Sequence, residues 1–160
     1  MSYVWHLLIM IGIYVMLSMS LNLIMGYAGL MSLSHAAFFG IGAYCAALLT
    51  LKLALGFFPA LLISVLGAMV LSVVIGWPSL RLRGDYFVLA TLGFQIIVYS
   101  ILYNWVSVTR GPYGISDIPA PRVGGLVVSS PFAFFVLVAS VGVGIFLLIR
   151  GIALSPFGRV

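Results

Sequence analysis

The chain has 160 residues, of which 64% are hydrophobic and 6% charged, whereas a soluble domain carries about 25% charged residues. With a mean hydropathy of +1.33, it cannot cover a water-facing surface, so lipid must be its solvent. The net charge of +5 comes from basic residues scattered between apolar runs rather than gathered on a face, so it does not indicate a nucleic-acid partner, and none is expected.

Crossing the hydrocarbon takes about 20 apolar residues in a helix. The first such run is Val4 to Met25, and no basic segment or cleavage site marks it as a signal peptide. It carries Tyr14, Ser18 and Asn22 at four-residue steps, one face of a helix. These are either hydrogen-bonding groups between helices or the lining of a pathway. His6 beside Trp5 reads as an interfacial residue.

Gly26 to His35 interrupts the apolar pattern. Gly26 and Gly29 permit unusual backbone angles. Ser32 or Ser34 is placed to cap the next helix, and helix ends of this kind meet anionic groups inside transporters. The plain alternative is a loop with a serine cap. His35 reads as a polar boundary residue, the alternative being a ligand or proton carrier. Irregular backbone is tolerated in a membrane only where protein or a cavity surrounds it, so the segment is expected to be a broken or re-entrant element.

The run after it, Ala36 to Leu51, is short. Ala36, Gly40, Ala43 and Ala47 form a small-residue stripe that allows close helix packing. The remaining spans are Phe57 to Trp77, closed by Pro78; Tyr86 to Val106; and Phe132 to Ile149, closed by Arg150. The third span carries a second polar stripe, Thr91, Gln95 and Tyr99. Between the spans lie the polar turn Leu80 to Asp85, where Asp85 is expected to pair with Arg81 or Arg83, and the loop Ser107 to Pro131, long enough to be functional. With Arg81, Arg83, Arg150 and Arg159 inside and Lys52, Arg110 and Arg122 outside, the N-terminus is external and the C-terminus cytoplasmic. The single Cys45 excludes an internal disulfide framework. No nucleophile–base pair or carboxylate cluster suggests catalysis.

Ser20-Leu-Asn-Leu-Ile-Met-Gly-Tyr-Ala-Gly29 followed by Ser32-Leu-Ser-His-Ala-Ala-Phe-Phe-Gly-Ile-Gly-Ala-Tyr44 resembles the permease subunits of branched-chain amino acid ABC importers, the M-type subunit most. Arg81 to Leu92 (RLRGDYFVLATL), Thr109-Arg-Gly-Pro-Tyr-Gly-Ile115 and Ser155-Pro-Phe-Gly-Arg159 resemble further segments of that family, in the same order. Two positions depart from it: Leu30 stands where Gln is common, and Ser34 where Gly is frequent.

The resemblance implies an all-α polytopic transmembrane helical bundle of about five spans. It would form one permease domain over residues 1–160, a fragment ending where the cytoplasmic coupling segment opens. It further implies a cytoplasmic (inner) membrane location. The partners would be a second homologous permease subunit, two cytoplasmic ATP-binding subunits, a periplasmic or extracellular substrate-binding protein and the surrounding lipid. ATP would bind the partners, and this chain would bind no cofactor or metal and do no bond chemistry. The substrate pathway is expected at Asn22, Gly26, Gly29, Ser32, Ser34, His35 and Gln95, and ATPase coupling at Ser155, Phe157, Gly158 and Arg159. Urea or short amides are the alternative cargo; a membrane-embedded enzyme or a helical partner protein is the alternative class.

Overall fold

The computed structural model describes residues 2–123 and 126–155. Among them, five helices are long and apolar enough to cross a membrane. The all-α polytopic architecture expected from the apolar runs is therefore present. The chain divides into two compact units, Met1–Met31 with Leu126–Val160, and Ser32–Gly125.

In the first unit, α1 (Ser2–Asn22) passes directly into a π-helical turn, Leu23–Tyr27. It packs along α6 (Pro131–Leu154). Glycines set how closely the two helices approach. A Cβ on Gly12 would stand 3.1 Å from Val138 Cγ1, and one on Gly142 would stand 3.6 Å from Met16 Sδ. Without a hydrophobic drive between helices in lipid, such close packing is what holds them together. Trp5 closes one end of the pair, edge-on to Phe132 with 5.1 Å between centroids and 5.6 Å from Phe135. The start of α6 is fixed by Ser130, whose Oγ accepts a hydrogen bond from the Ala133 N–H at 3.1 Å, with Pro131 at the first helical position. Arg150 does not end α6, which runs on to Leu154. A long basic side chain near a membrane helix end can reach the interface without breaking the helix.

In the second unit, α2 (His35–Lys52), α3 (Phe57–Ser79) and α4 (Asp85–Asn104) follow one another. α2 packs mainly on α3 and also on α4. Its 18 residues span about 27 Å, just under the hydrocarbon thickness of about 30 Å. The helix stops where Ala54 takes a left-handed φ of 49° and the Leu55 N–H returns to the Leu49 carbonyl. Pro78 lies within the last turn of α3. The Arg81 guanidinium lies 5.9 Å from the centre of the Trp77 ring, a cation–π contact. A local ion pair of Asp85 with Arg81 or Arg83 was expected; Asp85 instead occupies the first turn of α4, where the helix dipole favours a carboxylate.

Apolar side chains point outward on every span. On α3, Leu62, Met69, Val73 and Trp77 are each more than half exposed. In water that surface would drive aggregation; in a bilayer it is the solvated face.

Candidate functional site: a cleft between α2 and α4

The Gly26 to His35 break is built in stages. The α1 ladder widens at the π-helical turn, and the Ala28 N–H reaches the Leu23 carbonyl. Gly29 then takes a φ of +63° and the Leu30 N–H bonds back to Ile24. This is a wide form of the glycine helix stop, and π-turns recur at functional sites. The two glycines serve different ends. Gly29 supplies the left-handed angle, with nothing within 4 Å of a Cβ placed there. Gly26 supplies room, since its Cβ would stand 2.8 Å from Asn22 Oδ1; the unusual angle expected at Gly26 is not needed.

The serines differ from expectation too. Ser34 occupies the N-cap position of α2, but its side chain makes no capping bond, and its φ/ψ of −79°, 2° is not the extended conformation of a side-chain cap. Ser34 Oγ and Ser32 Oγ share a hydrogen bond at 3.1 Å instead. The Ser34 carbonyl receives the Ala37 and Phe38 N–H groups. Ser34 is buried, and His35 is the first residue of α2.

Thr91 fastens Leu33, two residues before α2, to α4. Its Oγ1 accepts the Leu33 N–H at 3.1 Å and donates to the Val88 carbonyl at 2.9 Å. Thr91 is 2% exposed, so the bond is shielded from competing water. One turn further on is Gln95, on the wall of a cleft of about 230 Å³ between α2 and α4. The α2 wall is Ala36, Ala37, Gly40 and Tyr44; the α4 wall adds Val98, Tyr99, Leu102 and Tyr103. The small-residue stripe therefore does two jobs. Gly40 lets α4 come close, its Cβ position being 3.3 Å from Leu102 Cδ1, while Ala36 and Gly40 leave the space beside Gln95 open. The Gln95 Oε1 itself is buried away from that space, with no hydrogen-bond partner among the described residues. Among the described residues no group of three or more His, Cys, Asp or Glu is placed to hold a metal ion.

The mouth of the cleft is held by a feature the sequence did not announce. Ser107 to Pro131 reads as one loop, yet its start folds into α5 (Val106–Thr109) and a 3-10 turn, Gly111–Tyr113. Thr109, 2% exposed, binds them together. Its Oγ1 donates to the carbonyls of Leu102 (2.6 Å) and Trp105 (2.9 Å) and accepts the Gly111 N–H (3.2 Å). Gly111 must be glycine twice over: its φ is +56°, and a Cβ would stand 2.6 Å from the Tyr103 carbonyl oxygen. The sequence signals were Gly111, Pro112 and Gly114 and the resemblance carried by Thr109 to Ile115; neither showed that Thr109 would tie the turn together. Further along, Arg110 Nη1 donates to Ser116 Oγ, which donates to Asp117 Oδ2, all at the surface. Two-residue strands follow at Arg122–Val123 and Leu126–Val127.

Of the expected pathway residues, Ser32, Ser34, His35 and Gln95 belong to the second unit, and Asn22, Gly26 and Gly29 to the first. Tyr14, Ser18 and Asn22 share a face as their spacing requires, around a groove of about 440 Å³ lined by α1 residues alone. Ser18 spends its hydroxyl on the Tyr14 carbonyl at 2.8 Å. Of the coupling residues, Ser155 ends α6 and donates to the Ile152 carbonyl; Phe157, Gly158 and Arg159 lie outside the described residues.

Comparison with known proteins places the sequence in a family. Residues 3–159 match the family model described as the permease component of the branched-chain amino acid transport system. The chain belongs to that family. It is 46% identical over 114 residues to the high-affinity branched-chain amino acid transport system permease protein LivM of Escherichia coli strain K12. It is 44% identical over 114 residues to the protein of the same name from Salmonella typhimurium strain LT2. Each alignment takes in 71% of this chain and 27% of the relative, so the chain spans about a quarter of the length of the curated relatives it matches. No solved structure matches it. Family membership and the five apolar helices together make it a multi-pass membrane protein.

Proposed function

We propose that this chain is part of a permease subunit of an ABC importer that moves branched-chain amino acids across the cytoplasmic membrane. The family match over residues 3–159 carries the reading. The chain performs no bond chemistry and binds no nucleotide. ATP binding and hydrolysis on two partner subunits drive alternating access. A second homologous permease subunit completes the pathway, and a periplasmic or extracellular binding protein delivers the solute.

The physical features fit a conduit. Gln95 and three tyrosines are the polar side chains on the wall of a cleft otherwise lined by small and apolar residues. Leu33, just before α2, is tied to α4 through Thr91. A solute can move through such a site because few polar groups hold it. On this reading Gly29 permits the backbone of the break to change conformation, and Ser155 with Phe157, Gly158 and Arg159 leads to the ATPase contact.

The test is uptake of radiolabelled leucine by cells lacking other branched-chain permeases, with the intact transport locus and with this chain's gene disrupted. Leucine uptake that depends on the chain is the expected result. Uptake of urea or acetamide in place of leucine would reassign the cargo, and no dependence of any uptake on the chain would overturn the reading.

A further inference from the structure

Arg81 and Arg83 stand two positions apart in the turn between α3 and α4, both exposed. Among the described residues neither guanidinium has an ion pair or a hydrogen bond, although Asp85 is close in sequence. Cations elsewhere are placed differently. Arg110 is linked through Ser116 to Asp117, and Lys52 and Arg150 stand singly near the ends of α2 and α6. The α3–α4 turn thus concentrates two unanswered positive charges at one end of two membrane spans.

The side chains around them belong to a surface in contact with lipid. Leu80 and Leu82 alternate with the arginines and are exposed, as are Trp77 and Tyr86 on either side of the turn. Aromatic rings of this kind lie at headgroup level at the edge of a bilayer. The Arg81 guanidinium is 5.9 Å from the centre of the Trp77 ring, which sets the charge at the depth of the lipid phosphates. One phospholipid meets both demands of the turn, with its phosphate for the guanidinium groups and its acyl chains for the leucines.

We propose that the Arg81–Arg83 turn binds the headgroup phosphate of an anionic phospholipid, with Trp77, Leu80 and Leu82 against the glycerol and acyl chains below it. A guanidinium takes two phosphate oxygens at once in a fixed geometry. The second unpaired cation selects a net-negative lipid, because it repels the ammonium or choline group that a zwitterionic lipid carries beside its phosphate. The inference needs only that the chain lies in a bilayer, and it is independent of the cargo.

The experiment uses the full permease complex in nanodiscs of phosphatidylcholine. These carry a small fraction of photoactivatable phosphatidylglycerol or, in parallel, of photoactivatable phosphatidylcholine, and the cross-linked peptides are mapped by mass spectrometry. Capture on the exposed face of α1 is the internal reference. In the wild type, residues 77–86 are expected to capture phosphatidylglycerol about 25-fold more than phosphatidylcholine, about fivefold for each arginine. Arg81→Gln and Arg83→Gln are each expected to lower that ratio about fivefold, and the double variant to bring it to parity. Salt at about 1 M, where charges are screened within about 3 Å, is expected to shrink the wild-type ratio. If the double variant fails to assemble, the wild-type ratio and its fall in salt decide. Equal capture of the two lipids by the wild type would overturn the inference, as would an unchanged ratio in the double variant. A double variant that keeps its preference for phosphatidylglycerol but loses its ATPase subunits would show that an acidic protein surface meets the arginines, which would overturn it too.

Discussion

Replacing Thr109 with valine removes one hydroxyl and almost no volume, so its effect reads the hydrogen bonds alone. Lost are the one O–H donation shared by the carbonyls that end α4, Leu102 and Trp105, and the bond accepted from Gly111. The carbonyls retain or find other donors at modest cost, but the Gly111 N–H is buried with its residue. Leaving it unsatisfied costs about 1–3 kcal/mol. We take about 2 kcal/mol for the local opening of the α5 and 3-10 turns, which corresponds to a rise of about thirtyfold in the open population. The Arg110–Gly111 bond lies inside the closed turn and is a trypsin site. When opening is fast relative to cleavage, proteolysis follows the open population. Detergent-solubilised protein is therefore digested with trypsin and the fragment ending at Arg110 is timed by mass spectrometry. Its appearance is expected about thirtyfold sooner in Thr109→Val, with cleavage after Lys52 unchanged. Equal rates at Arg110 in the two proteins would refute the claim that Thr109 holds this turn closed.

Further substitutions probe the same logic elsewhere. Gly111→Ala meets the Tyr103 carbonyl at 2.6 Å as well as a left-handed φ, whereas Gly114→Ala has φ +66° and open space around it. The first is expected to disrupt the turn, and the second to cost about 1–2 kcal/mol of backbone strain; the trypsin assay ranks them. Ala54→Gly relieves a left-handed alanine at the α2 stop and is expected to stabilise the solubilised protein by up to about 1 kcal/mol, seen as a raised Tm. Gly29→Val forces a β-branched residue into a φ of +63°; leucine uptake is expected to fall at normal membrane abundance, and full uptake would count against a moving part at the break.

The apolar runs made the spans legible because chain length in lipid is a hard constraint. Val4 to Met25 and Phe57 to Trp77 lie within two residues of the ends of the helical stretches Ser2–Tyr27 and Phe57–Ser79. The break was legible because Gly29 has no other reason to sit in an apolar pattern. What escaped were decisions taken between neighbouring polar groups. Whether Ser34 caps α2 or bonds Ser32 depends on one pair of backbone angles, and Thr109 reaches back seven residues to Leu102, beyond any local motif. Hydropathy marks Gln95 as polar but says nothing of whether its oxygen has a partner. That depends on how the side chains around it are turned, which spacing along one helix does not set. The two polar stripes, alike in spacing, part company for the same reason: one borders a groove lined by α1 alone, the other faces a second helix across a cleft.

Every part of this account requires α4 to carry Gln95 through the bilayer, with the polar turn before it and the Thr109 turn after it on opposite sides. Single Arg83→Cys and Arg110→Cys variants, made with Cys45→Ser, can be treated in intact cells with a membrane-impermeant maleimide. Labelling at position 110 and protection at position 83 until the cells are opened is the predicted outcome; equal labelling of both in intact cells would contradict it.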